Sequence, residues 1–206
     1  LPVRFLAWTT TPWTLGANTG LAVAAEAEYA LVRAPSRRGG AAMDAAFVLA
    51  RDLVAATFGD DPHELVTTFL GSALEGVPYR PVLRGRDDAG RPAEEVERRV
   101  VLDPMVSLDD GTGVVHLAPA YGDLELGRTH GLATLFSVSL TGEMLPEVAP
   151  LDHPRDRPGP YAGRWFKEAD DAIADDLLAR GLMYRRTTIR HAYPFNWRDG
   201  KPLMNV

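Results

Sequence analysis

Short apolar runs separated by polar turns dominate the hydrophobic pattern of this 206-residue chain. Runs of about 4–8 residues that are rich in β-branched and aromatic side chains are typical of β-strands. The pattern predicts strands at residues 5–9, 21–24, 30–33, 64–70, 96–102, 114–118 and 183–189.

Other segments have apolar residues at the spacing of an α-helix, and a glycine follows each of them closely. They predict helices at residues 41–57, 123–130 and 167–180. Polar stretches rich in Pro and Gly predict loops at residues 34–40, 84–95 and 152–163. Because strands outnumber helices, we expect an α+β fold: a single β-barrel-like domain with peripheral helices, spanning residues 1–206.

The composition is that of an ordinary globular protein, with 46% apolar and 24% charged residues. The net charge of −6 differs from the basic footprint of free-standing nucleic-acid-binding proteins, so most of the binding to any RNA partner must come from elsewhere. The absence of cysteine excludes disulfides and thiolate metal sites. No apolar run approaches the roughly 20 residues of a membrane span, and no membrane partner is expected.

The first candidate site is the segment WTTTPWT at residues 8–14. Pro12 lacks a backbone N–H and fixes φ, so a strand cannot continue regularly past the threonines. The result is a short turn with several hydroxyl groups, each able to donate and accept hydrogen bonds. Threonine is also common in ordinary strands, so the residue types alone do not establish a site.

The second candidate is the segment GTGVVHLAPAYGD at residues 111–123. Its two glycines permit a tight turn or the close approach of another backbone. A strand follows, and Pro119 interrupts it before a helix that begins at Asp123. An Asp at that position is also a common helix N-cap, which is the structural alternative to a functional carboxylate.

The histidines do not predict a metal site. His116 lies on the strand of the second segment, where a single histidine is more often a core residue than a functional one. The others have no partner at the spacing of metal ligands: His63, His130, His153 and His191. The chain also lacks a Ser-His-Asp constellation, a Cys nucleophile and an HExxH string, so covalent and zinc mechanisms are not expected.

Several motifs together resemble the editing domain inserted into bacterial isoleucyl-tRNA synthetases. The string TTTPWTLGAN at residues 9–18 is similar to the family's threonine-rich peptide, and residues 111–123 resemble its GTG…H.AP motif. YPFNWR at residues 193–198 resembles the strand by which the insertion rejoins the synthetase, and GSALEGVPY at residues 71–79 is a weaker match. A chain that begins in a strand without an initiator Met fits a fragment of a larger enzyme.

The resemblance implies hydrolysis of valine from mischarged valyl-tRNA(Ile), with valyl-adenylate left open as a second substrate. Asp123 would hold the α-ammonium group of the amino acid. Thr9, Thr10 and Thr11 would surround the ester and position the attacking water. The family usually places the Asp two residues further along, after a longer acidic loop, so Glu125 is the alternative anchor.

The resemblance also implies a set of substrate-binding residues. His116 and Trp8 would close the pocket for the amino-acid side chain. Asn18 would support the terminal adenosine or brace the threonine segment, and Thr14 would contact the substrate. The implied partners are the valine-charged 3′ end of tRNA(Ile) and the remainder of the synthetase chain. No partner protein and no cofactor for editing are implied, and the implied location is cytoplasmic.

The sequence leaves two alternatives open. The first is the editing domain of a sister valyl or leucyl enzyme, but these have Arg at the third position of the threonine peptide and an acid at the position of Trp13, where this chain has Thr11 and Trp13. The second is a non-catalytic module that docks the tRNA 3′ end, which would need neither the threonine peptide nor an Asp.

Overall fold

A computed structural model of the chain describes residues 1–38, 41–89, 91, 95–188 and 197–198, without the side chains of residues 36–38 and 41–44. The strands are β1 (Val3–Phe5), β2 (Gly20–Val23), β3 (Glu28–Arg38), β4 (Ala41–Ala50), β5 (Glu64–Leu70), β6 (Arg86–Asp87), β7 (Arg99–Leu102), β8 (Val115–Leu117) and β9 (Leu135–Phe136). The α-helices are α1 (Val54–Phe58), α2 (Leu124–Thr129) and α3 (Phe166–Ala179). Short 3₁₀ segments occur at Pro12–Ala17, Arg51–Leu53, Gly71–Leu74 and Pro119–Tyr121.

The described strands form three separate sheets. The first has the order β1-β4-β3-β5, the second has the order β7-β2-β8, and β6 pairs with β9 in the third. Strand β2 runs parallel to β7 and antiparallel to β8, with Leu21 opposite His116. The predicted α+β class is confirmed, but none of these sheets closes into a barrel: the architecture is a set of open sheets with few helices.

Strands β3 and β4, at the centre of the first sheet, pack against apolar clusters on both faces, whereas most of β5 is exposed. On one face, Tyr29 and Val48 pack with residues of the second sheet such as Val100. On the other face, Phe47 packs with Phe58 of α1. A third apolar cluster surrounds α3 and receives the indole of the 3₁₀ turn that follows the threonines. That cluster anchors the first sequence motif to the body of the domain.

The predicted helix at residues 41–57 is wrong over most of its length. Residues 41–50 form β4, which lies between β1 and β3, and only Val54–Phe58 are α-helical. The side chains from Ala45 to Ala50 are all buried, so this strand shows no alternation of apolar and polar residues. A strand buried on both faces cannot be distinguished from a buried helix by periodicity.

Of the other predicted elements, some are confirmed and some are wrong. Helices α2 and α3 are confirmed within a residue at each end. The predicted loop at residues 34–40 is wrong through Arg38, because β3 continues to that residue and pairs with β4. Residues 183–188 form no strand, while residue 189 and most of the YPFNWR segment lie outside the described residues. No helix in the described part of the chain has the length and apolar character needed to cross a membrane.

Candidate active site

The two sequence motifs lie side by side and line an open cavity of about 320 Å³. One wall is the threonine loop, which we define as residues 9–14, together with Trp8. The second wall contains residues 110–116, and Asp123 lies beside them. Met105, Ser107, Ala118 and Tyr121 complete the lining. Segments about a hundred residues apart in sequence therefore form one site.

Hydrogen bonds within the threonine loop hold its turn closed. The hydroxyl of Thr9 accepts the N–H of Thr11 at 3.1 Å. The carbonyl oxygen of Thr11 accepts both the N–H of Thr14 at 2.9 Å and its hydroxyl at 2.8 Å. The hydroxyls of Thr11 and Thr14 lie 3.2 Å apart. Thr10 is exposed at the cavity, and its hydroxyl has no hydrogen-bond partner among the described residues.

The back of the threonine loop is attached to α3. The indole of Trp13 is buried and packs edge-on against Phe166 and Tyr121, with ring centroids 5.1 and 4.8 Å apart. The backbone N–H of Trp13 donates to Asp170 Oδ1 at 3.1 Å. Burial raises the pKa of the Asp170 carboxyl to about 6, against the opposing effect of nearby Lys167. Trp13 is thus a core residue, while its neighbours in the loop face the cavity.

The second wall requires glycine at Gly113. This residue has φ +68°, and a Cβ added there would lie 2.4 Å from the Cβ of Ala50. The hydroxyl of Tyr29 donates to the carbonyl oxygen of Gly113 at 2.6 Å. The N–H of Ala50 donates to the carbonyl oxygen of Thr112 at 2.9 Å. The GTG sequence therefore lets the turn press directly against the first sheet.

Asp123 lies at the start of α2, but its side chain does not cap that helix. Its Oδ2 accepts the N–H of Ala118 at 2.8 Å, and the N–H of Gly127 bonds instead to its backbone carbonyl. Oδ1 accepts no hydrogen bond from the described residues. Burial raises the pKa of the Asp123 carboxyl, which the Ala118 N–H opposes. One carboxylate oxygen is thus held in place while the other is available to a ligand.

Glu125 does not share this environment. It is exposed on α2 and is not part of the cavity lining, whereas Asp123 is. Of the two acidic residues that the sequence left open as ammonium anchors, only Asp123 lies at the cavity.

His116 lines the cavity but is tied to the protein through both ring nitrogens. Nε2 lies 3.0 Å from the hydroxyl of Thr14, and Nδ1 lies 2.8 Å from the amide nitrogen of Asn18. Burial lowers the pKa of the imidazole to about 4, so the ring is neutral near pH 7. A ring with both nitrogens engaged is poorly placed to act as a general base.

Asn18 is the one predicted substrate-binding residue that does not line the cavity. It is buried behind His116, and its Oδ1 accepts the hydroxyl of Tyr79 at 2.6 Å. The residues missed by sequence reasoning include Tyr79 and the cavity residues Met105, Ser107, Asp110 and Tyr121. Asp110 stands next to the GTG sequence, which was the available signal for it.

The described residues contain no group of three or more His, Cys, Asp or Glu side chains that could hold a metal ion. The polar side chains that line the cavity include threonine hydroxyls and the carboxyl groups of Asp110 and Asp123.

Comparison with known proteins gives relatives along almost the whole chain. Isoleucine–tRNA ligases from Dehalococcoides mccartyi and Thermus thermophilus are each 39% identical, over 98% and 97% of this chain. The ligase from Methanothermobacter thermautotrophicus is 37% identical over 98%. Because archaeal as well as bacterial enzymes match, the bacterial part of the expected resemblance is not confirmed. The chain spans only 17–19% of the length of these relatives.

Solved structures of synthetase editing domains have a fold similar to that of this chain. The structure described as GlLeuRS-CP1 matches with a TM-score of 0.59 at 14% identity, over 90% of this chain and 84% of that one. The editing domain of cytosolic leucyl-tRNA synthetase from P. falciparum matches with a TM-score of 0.58 at 10% identity, over 87% and 78%. No protein-family model matches the chain.

Proposed function

Because the chain is homologous over nearly its whole length to a segment of isoleucine–tRNA ligases and has the fold of a synthetase editing domain, we propose that it hydrolyses valyl-tRNA(Ile). Valine is released, and valyl-adenylate is a second potential substrate of the same cavity. In this proposal the chain works as part of a longer ligase, which supplies most of the tRNA binding that an acidic domain cannot.

The observation that carries the proposal is that Asp123 and the threonine loop line the same cavity. The free oxygen of Asp123 suits the α-ammonium group of an aminoacyl ester, since a hydrogen bond between charged groups is among the stronger ones in proteins. The hydroxyls of Thr9, Thr10 and Thr11 then lie along the ester and the terminal ribose. A docking module without catalysis would not need a carboxylate held for a cation.

The chemical step asks little of the protein. An aminoacyl ester is an activated acyl group, so a water held in line with its carbonyl carbon is sufficient for hydrolysis, and positioning alone supplies a large part of such accelerations. The threonine hydroxyls can hold that water and the ester oxygen. No residue is required to take up a proton permanently, and the editing reaction in this proposal uses no cofactor.

Editing is needed because binding energy cannot reject valine sufficiently at a first site. For isoleucyl enzymes, the standard example of this limit, one methylene in an apolar pocket is worth about 1–3 kcal/mol. A second cavity that admits valine and excludes isoleucine by size removes the error. We propose that His116 and Trp8 supply that limit, because both line the cavity beside the threonine loop. The proposed location of the parent ligase is the cytoplasm, where tRNA is charged.

The direct experiment measures deacylation of valyl-tRNA(Ile), isoleucyl-tRNA(Ile) and threonyl-tRNA(Val) by the 206-residue chain. We expect slow hydrolysis of the valyl ester and sparing of the isoleucyl ester. Greater loss of isoleucine than of valine would contradict the proposal. Preferential hydrolysis of threonyl-tRNA(Val) would move the assignment to a valyl enzyme, although Thr11 and Trp13 argue against that.

A further inference from the structure

A polar chain extends behind the cavity wall, beyond the residues that face the substrate. Asn18 is at its centre: Oδ1 accepts the Tyr79 hydroxyl, and Nδ2 lies 2.9 Å from the carbonyl of Gly20 and 3.4 Å from that of Leu117. Carbonyl oxygens only accept hydrogen bonds, so the NH₂ end of the amide must face them. The contacts therefore define which end of the Asn18 amide points where.

This orientation determines where His116 carries its proton. Nδ2 of Asn18 also lies 2.8 Å from Nδ1 of the imidazole, and an amide nitrogen only donates. Nδ1 must then accept, which leaves the single proton of the neutral ring on Nε2. That N–H points at the hydroxyl of Thr14, 3.0 Å away, which in turn donates to the carbonyl of Thr11.

We propose that Tyr79 and Asn18 are positioning residues that hold His116 as the neutral Nε2–H imidazole, which anchors the threonine loop and takes no part in proton transfer. The effect of this ring state on hydrolysis rests on the proposed function, but the ring state itself does not. A donor held beneath Thr14 adds a fixed contact on the cavity side of the loop, beside the attachment of Trp13 on the back.

The surroundings of the ring reinforce this state. A proton added at Nδ1 would point at the amide NH₂ of Asn18, so the imidazolium loses a hydrogen bond that the neutral ring keeps. The titratable groups packed around Asn18 are Tyr79 and buried Arg98, whose Nε donates to the backbone carbonyl of Asn18 at 3.1 Å. No carboxylate among the described residues bonds to either nitrogen of His116. Asp110 and Asp123 line the same cavity as His116, but the partners of the ring are Thr14 and Asn18, so neither carboxyl group pairs with a charged ring.

The first variant is Asn18→Asp, which replaces the donor beside Nδ1 with an acceptor of almost the same shape. A carboxylate there stabilises a proton on Nδ1, so we expect the ring to become doubly protonated at about pH 6. Hydrolysis of valyl-tRNA(Ile) should then fall as the pH drops below about 7, where that of the unmodified chain stays level. Nitrogen NMR of the imidazole, which distinguishes the two neutral tautomers from the cation, reports the ring state directly.

The second variant is Tyr79→Phe, which removes only the hydroxyl that holds Oδ1. A less constrained Asn18 amide should let the neutral ring exchange between its Nε2–H and Nδ1–H tautomers, while burial still keeps its pKa low. We expect hydrolysis to fall about three- to tenfold in kcat with little change in KM, which is the size of effect that one lost buried hydrogen bond gives. The matched control is Tyr184→Phe, since the Tyr184 hydroxyl bonds to Asp61 away from the cavity. It should change neither the ring nor the rate.

The ring state and the activity are separate readouts. A neutral Nε2–H ring in the unmodified chain down to about pH 5 supports the proposal, even if the chain proves unable to hydrolyse valyl-tRNA(Ile); that second result would refute the proposed function alone. A ring that titrates near 6.5, or that carries its proton on Nδ1, overturns the proposal. So does a folded Asn18→Asp variant with an unchanged ring and an unchanged pH profile.

Discussion

The two sides of the threonine loop differ in how their polar groups are used. On the cavity side, the hydroxyl of Thr10 and one oxygen of Asp123 have no partner among the described residues. On the back, the N–H of Trp13 bonds to Asp170, and its indole lies between aromatic rings of the core. The loop is attached firmly on one side and therefore presents its hydroxyls at fixed positions on the other.

The carboxylates on the two sides show why a shifted pKa alone does not identify a functional group. Burial raises the pKa of both Asp123 and Asp170, and the latter reaches about 6. Yet both oxygens of Asp170 are engaged, one by Trp13 and one by Lys167 at 3.6 Å, whereas Asp123 keeps one oxygen open to the cavity. The open partner position distinguishes a substrate-binding group from a structural one.

The largest expected effect is that of Asp123→Ala on the cavity side. Losing a hydrogen bond between charged groups costs about 1.5–3 kcal/mol, so deacylation of valyl-tRNA(Ile) should fall at least about tenfold. Because the Ala118 N–H also loses its acceptor, stability should drop by about 1 kcal/mol. The rate must therefore be measured per folded molecule, with urea unfolding as the reference. A folded Asp123→Ala variant that keeps its deacylation activity would show that Asp123 does not bind the substrate.

The counterpart on the back is Asp170→Ala. It leaves the Trp13 N–H without its acceptor, so we expect the free energy of unfolding to fall by about 1–3 kcal/mol. Deacylation per folded molecule should change less than in Asp123→Ala. The matched control is Asp171→Ala on the same helix, whose side chain is 79% exposed and should change stability by no more than about 0.5 kcal/mol. Equal losses of stability in the two variants would show that Asp170 does not anchor the loop.

A change on the cavity side that alters selectivity is His116→Ala. If the ring limits the cavity, its removal should admit the isoleucyl ester and reduce the preference for valine about tenfold, in line with the value of one methylene. The ratio of the two deacylation rates is the relevant measurement, since loss of the Thr14 contact should slow both reactions. A folded variant that still spares isoleucyl-tRNA(Ile) would assign His116 to positioning alone.

The back of the loop also predicts a pH dependence of stability. The pKa of Asp170 is about 6 in the folded chain and about 3.9 in an unfolded one, so the folded state binds the proton more tightly. The stabilisation is present below about pH 4 and is lost as the pH rises through about 6, with a slope of at most about 1.4 kcal/mol per pH unit.

Urea unfolding at a series of pH values measures this slope. Asp170→Asn should remove the part of the slope that Asp170 contributes, leaving the contributions of the raised pKa of Asp123 and the lowered pKa values of Asp87 and Asp103. A slope that is unchanged in Asp170→Asn would contradict the assignment.

The parts of this site that sequence predicted are those with local signals. Helix α3 shows one apolar face and a glycine after its end, and the threonine and GTG segments are contiguous motifs. Strand β4 was misread because its burial on both faces removes the alternation that marks a strand. The role of Tyr79 depends on a contact with a residue 61 positions away, and no local pattern encodes such a contact.

The choice between capping and binding at Asp123 likewise needed the fold. The sequence places an Asp at the start of a helix in either case, and only the Ala118 contact shows that its side chain turns away from the cap position.

The most direct test of the account is the deacylation rate of Asp123→Asn on valyl-tRNA(Ile), measured beside the unmodified chain. An amide oxygen can still accept the Ala118 N–H, but the side chain no longer neutralises an ammonium group. The account predicts unchanged unfolding and a rate at least about tenfold lower. A well-folded Asp123→Asn variant that hydrolyses valyl-tRNA(Ile) at the normal rate would contradict it.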